Sequence, residues 1–138
     1  MRLIQMLNKD ELKKEISEKL MIITKEKNNI YYDFFQKGSP EGTYVYADNQ
    51  GYHYVVSERG QESIHKVTDD VFEITFWVVY PFIVSISFEY AYHVSEQEDD
   101  RVIAFTKQLE LLDKLGYSFL KRGEIEQYEI LKLYPIEK

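Results

Sequence analysis

The chain has 138 residues, a length that suits one domain over 1–138, and its 44% hydrophobic and 15% aromatic content excludes wholesale disorder. It contains no cysteine, which excludes disulfides and thiolate metal sites and fits a cytoplasmic setting. Its net charge of −7 lies in the second half, since residues 1–67 hold ten basic and ten acidic side chains and residues 68–138 hold seven and fourteen. Nucleic acid would require the reverse, a concentrated basic face.

The opening "MRLIQMLNKDELKKEI" has neither the apolar run nor the small-residue cleavage site of a signal peptide. Asn8 and Glu11 have capping-box spacing, in which each side chain satisfies a backbone N–H at a helix start. Leu12, Ile16, Leu20 and Ile23 then form one apolar stripe, so an amino-terminal helix is expected. The segment "NNIYYDFFQKGSPEG" closes this region with a turn at "GSPEG".

"TYVYADNQGYHYVVSERGQESIHKV" is dense in Tyr, Val and Ile and is interrupted at "DNQG" and "RG". It reads as a three-stranded antiparallel meander. A two-residue turn at Arg59-Gly60 sets Glu58 against Gln61, Val56 against Ser63 and Tyr54 against His65. In that register Tyr52, Tyr54 and Val56 share a face with His65 and Val67. His53, Val55 and Ser57 fall on the other with Ile64 and Lys66. His53 and His65 would then be unable to share an ion or a proton, whereas a three-residue turn would reverse this.

Thr68-Asp69-Asp70 has the character of a helix start. Residues 69–95 are read as one helix, apolar nearly all round and kinked at Pro81. Its fifteen uncharged residues "ITFWVVYPFIVSISF" fall short of the roughly 20 a membrane-spanning helix needs, so a buried core element is expected and no membrane partner. "EDDRVIAFTKQLELLDKLG" places Val102, Phe105, Leu109 and Leu112 on one helical face, with Gly116 as its stop. A last helix over 118–133 would turn Ile125, Tyr128 and Leu131 inward before Pro135. The expected architecture is therefore α+β, an amino-terminal helix, a three-stranded antiparallel β-meander and three carboxy-terminal helices packed on the sheet.

Chemistry-bearing motifs are sparse. There is no phosphate-binding glycine loop, no thiol nucleophile and no Gly-x-Ser-x-Gly elbow, and no cofactor or catalytic residue is assigned. Glu89 and His93 stand one helical turn apart, but the second Glu-x-x-His copy and further glutamates of a helical di-metal site are missing. They are the basis for an alternative reading as a small metal- or acid/base-dependent enzyme; an exposed i,i+4 ion pair or a partly buried histidine is the simpler explanation. The run "SEQEDD" offers Glu96, Glu98, Asp99 and Asp100 to a basic protein surface, or forms a solvated loop ahead of a helix. Among twelve tyrosines, those beside turns, Tyr31, Tyr32, Tyr46 and Tyr52, are candidate anchors for a protein partner.

"GYHYVVSERGQE" (51–62), "TDDVFEITFW" (68–77), "FEYAYHV" (88–94) and "FTKQLELLDKL" (105–115) together resemble the immunity protein 63 family of bacterial polymorphic-toxin systems. The similarity runs from about residue 43 to 133 in the same order and spacing. Pro81 and "GYSFLKRG" depart from the family pattern, and the first forty residues lie outside it. The resemblance implies a cytoplasmic inhibitor that binds the toxic C-terminal domain of a cognate secreted toxin, with no reaction of its own. It supplies no catalytic or binding residues. An intracellular interaction module unrelated to toxins is a further alternative, and the oligomeric state is left open.

Overall fold

The computed structural model describes residues 6–24, 42–94 and 99–136. The elements run α1 (Lys9–Ile23), β1 (Gly42–Asp48), β2 (Gly51–Glu58), β3 (Gln61–Thr68), α2 (Val71–Val94), α3 (Asp100–Leu115) and α4 (Tyr117–Leu133), an α+β arrangement. The strands form one antiparallel meander in the order β1-β2-β3. Contacts gather the chain into two compact units, residues 1–79 and 80–138, which divide within α2.

In the first unit, α1 begins as its sequence dictates. Glu11 N donates to Asn8 Oδ1 at 2.9 Å and Asn8 N donates to Glu11 Oε1 at 3.0 Å, closing the capping box. The helix buries the expected stripe, Leu12, Ile16, Leu20 and Ile23. Just before the cap, Leu7 N donates to the Tyr52 hydroxyl at 2.7 Å, tying the entry of α1 to β2. At the start of α2, Asp70 N donates to Thr68 Oγ1 and Phe72 N donates to Asp70 Oδ1, at 3.1 and 2.8 Å. These capping bonds turn the chain from strand into helix.

α2 runs unbroken as an α-helix through Pro81. Pro81, Ser85, Glu89 and Tyr92 form its exposed stripe, so the missing proline N–H falls on the solvent side. Ile74, Phe76, Val78 and Val79 are buried in the first unit; Ile83, Ser87 and Ala91 are buried in the second. By length and composition α2 could cross a membrane, and 39% of its most apolar stretch is buried within the structure.

The second unit is built around an α3–α4 hairpin. Asp99 caps α3 by accepting from Arg101 N at 2.9 Å. The Arg101 guanidinium donates to the carbonyls of Tyr134 and Pro135, at 2.6 and 3.3 Å, just beyond the C-terminus of α4. Gly116 ends α3, and α4 begins at the next residue.

The inward face of α4 differs from the sequence expectation. Ile125 and Tyr128 are 58% and 64% exposed, and Leu131 is half-buried, while Phe119, Gly123 and Gln127 face inward. Two features decide this rotation. A Cβ on Gly123 would run into the Leu112 side chain, so α3 and α4 approach closely only where α4 has no side chain. Gln127 Nε2 donates to Phe105 O at 2.9 Å and to Gln108 Oε1 at 3.1 Å, and Gln108 Nε2 donates to Ser87 Oγ at 3.1 Å. Ser87 Oγ in turn donates to Val84 O at 2.8 Å. This buried polar ladder joins α4, α3 and α2, and each link satisfies a group that would otherwise be costly to bury.

Candidate functional site

The meander places an unusual set of side chains on one face. At the first turn, Asp48 opposes Gly51 and Asp48 Oδ1 accepts from Gln50 N at 2.9 Å, which fixes the carboxylate. At the second, Arg59 and Gly60 have φ of 53° and 79° between paired Glu58 and Gln61. Positive φ at both central positions is what a type I′ turn requires, so the two-residue hairpin forms as its sequence indicates.

The register beyond the turn does not follow. Ser57 pairs with Glu62, but Val56 pairs with Ile64 and Val55 with His65, leaving Ser63 as the extra residue of a β-bulge. Ser63 Oγ donates to Val56 O at 3.2 Å. The bulge shifts the rest of β3 by one residue and exchanges its faces. His65 therefore joins His53, contrary to the expectation from an unbroken register. Lys66 moves to the opposite face, with its Nζ 4.4 Å from the centroid of Trp77 and 5.1 Å from that of Tyr54. That cation–π contact contributes on the order of 1 kcal/mol in favour of the bulged register.

His53 and His65 meet directly, with His53 Nδ1 2.8 Å from His65 Nε2. Each outer nitrogen reaches a carboxylate: His53 Nε2 lies 2.8 Å from Asp48 Oδ1, and His65 Nδ1 lies 2.9 Å from Glu62 Oε2. The result is a continuous relay, Asp48–His53–His65–Glu62, across all three strands. Tyr46 stacks on the His53 ring at 4.3 Å with 8° between planes, and Tyr44 stacks in turn on Tyr46 at 6.1 Å. Burial, followed by the negative charge of Asp48, holds the Tyr46 phenol above its usual range. The inner end of the relay is dry and the outer end wet: the His53 side chain is 3% exposed and that of His65 34%.

The spacing suits a proton better than a metal ion. Two imidazole nitrogens bound tetrahedrally to one zinc ion, at about 2.0–2.1 Å each, stand roughly 3.3 Å apart. The observed 2.8 Å is that of an N–H···N hydrogen bond. Among the described residues, no group of three or more His, Asp or Glu gathers to hold a metal.

Of the residues singled out in the sequence, Tyr46 lies in this relay face. Tyr52 is fully buried with its hydroxyl engaged by Leu7 N, so it presents no surface. Tyr31, Tyr32, Glu96 and Glu98 lie outside the described residues. Asp99 is occupied in capping α3 and pairs with Arg101 at 3.3 Å, and backbone and side-chain hydrogen bonds from Arg101 hold its carboxyl below the usual range. Asp100 is exposed in the first turn of α3. Glu89 and His93 are both exposed on α2. Sequence reasoning missed Asp48 and Glu62 as partners of the histidines, and the bulge that brings His65 beside His53 leaves composition and turn length unchanged.

A second surface lies in the second unit. Tyr90, Val102, Ile103, Thr106, Lys107 and Glu110 line a shallow groove of about 200 Å³. Around this unit Tyr92, Tyr117, Tyr128 and Tyr134 are between 64% and 76% exposed. On α4, Lys121 and Lys132 lie over the rings of Tyr117 and Tyr128 and are paired with Glu124 and Glu129.

The family model described as immunity protein 63 matches residues 48–129. The chain belongs to the immunity protein 63 family. In this family member the matched span opens on Asp48 of the relay, includes β2, β3, α2 and α3, and ends within α4. No curated protein matches the chain. No solved structure matches it either.

Proposed function

We propose that this immunity protein binds the toxic C-terminal domain of a cognate secreted bacterial toxin in the cytoplasm and neutralises it by stoichiometric occlusion, without catalysis. The family match over 48–129 carries the reading. Two physical features support it. The acidic surplus of residues 68–138 would steer a basic partner into encounter. The exposed tyrosines of the second unit supply large, rigid contact area of the kind that dominates binding energy. An interface of about 1,600 Å² is the standard size for a stable complex of this sort.

The charge part of the reading is tested by reversing Glu96, Glu98 and Asp100 to lysine together. Asp99 is left in place because it caps α3. Association with the toxin domain should slow by about tenfold at low salt and lose most of its salt dependence, with helix content unchanged. An unchanged association rate would remove the acidic tract from the recognition surface.

A further inference from the structure

We propose that His53 and His65 form a proton-binding site, holding one proton between them as an imidazole–imidazolium pair that clasps β3 onto β2 across the bulge. The argument is a count of ring protons. An ionised carboxylate only accepts hydrogen bonds, so Asp48 requires a proton on His53 Nε2 and Glu62 requires one on His65 Nδ1. Those two protons make two neutral rings, each with a lone pair on its inner nitrogen. Two lone pairs facing each other at 2.8 Å repel. A third proton between the inner nitrogens turns the repulsion into a charge-assisted hydrogen bond; a fourth would set N–H against N–H. The geometry is met by three protons on two rings, a single positive charge between two carboxylates.

The titratable groups in contact with the pair include Tyr46 and Asp48 from β1 and Glu62 from β3, with Tyr44 stacked behind Tyr46. Lys66 points to the other face, over Tyr54 and Trp77. The carboxylates favour the added charge. The stacked Tyr46 ring shields His53 and leaves the His65 end as the route by which the proton exchanges with solvent. The clasp is therefore made at intermediate pH and is weakened on both sides, by loss of the bridging proton in base and by gain of a second in acid. This device is independent of what the protein binds.

The test is nitrogen-15 NMR of ring-labelled histidine in the intact chain, with His93 assigned through His93→Gln. The expected result near neutral pH is three N–H protons across the His53–His65 pair, one of them coupled to both inner nitrogens, with the rings taking up protons as a coupled unit. Protection of the β2–β3 amides, after correction for the intrinsic exchange rate at each pH, should be greatest in that range and about ten- to hundredfold lower on either side of it. In His65→Gln the amide can still donate to His53 Nδ1 but carries no charge, so the shared-proton signal and the two-sided pH dependence should both vanish. Should that variant fail to fold, the ring spectrum of the wild type decides alone. Two neutral rings at neutral pH, rings that titrate independently, or a zinc ion bound by both inner nitrogens in the purified protein would each overturn the proposal.

Discussion

Substituting Gly123 by alanine sets two known effects against each other. In a solvent-exposed helix interior, glycine to alanine stabilises by about 1 kcal/mol through backbone entropy. Here the new methyl would run into Leu112, which is 0% exposed and cannot swing into solvent, and would stand 3.6 Å from Leu109 Cδ2. Forcing a methyl into a packed core costs roughly 1–3 kcal/mol. Burial should win, with a net loss of about 1 kcal/mol. Unfolding entropy of about 2.1 cal/mol/K per residue over 138 residues makes that a fall of roughly 3 °C in Tm. In urea the midpoint should drop by roughly half a molar with an unchanged slope. Adding Leu112→Ala makes room for the methyl, so the double variant should be less destabilised than the two singles added together. A rise in midpoint for Gly123→Ala alone would refute the claim that this glycine sets the α3–α4 approach.

The polar ladder and the buried phenol of the second unit give further expectations. Gln108→Leu removes the bonds to Ser87 and Gln127 and leaves one N–H of the buried Gln127 amide without its acceptor, for a loss of about 1–3 kcal/mol in urea unfolding. Replacing both Gln108 and Gln127 by leucine should cost less than the sum of the singles, and simple additivity would show that the two amides do not act together. Burial, then the charge of Glu126, pushes the Tyr80 phenol up to about 12. Because its neutral form is favoured in the folded state, this stabilisation is complete below the ordinary tyrosine range, near pH 10, and is lost as pH rises towards 12. Tyr80→Phe should flatten the alkaline limb of the stability curve, and an unchanged limb would assign that limb to other groups.

How much was legible in the sequence depended on how strongly pattern constrains register. α1 could be read in full, because its cap and stripe are local. α2 could be placed, and its terminus, since Thr68 and Asp70 carry their own capping chemistry. The hairpin turn was legible from Arg59-Gly60, yet the faces of β3 were not. β3 is an edge strand with Gln61 through Val67 all exposed, so no buried alternation fixes its register, and one extra residue at Ser63 moves His65 across the sheet. α4 misled for the opposite reason. Ile125 and Tyr128 of its expected apolar stripe face outward, because the inward seam is set by a missing side chain at Gly123 and a hydrogen-bonded amide at Gln127. Hydrophobic periodicity ranks both residues as poor core candidates. The relay followed the bulge out of sight: its four members were visible as residue types but not as neighbours.

The most direct test of the account is to identify, in the reading frames flanking its gene, a candidate toxin's C-terminal domain and to co-express that domain with this chain. The account predicts that cells killed by the domain alone survive, and that the two chains co-purify in equal amounts with no chemical change to the toxin. Survival with no complex, or death despite abundant folded protein, would contradict neutralisation by binding.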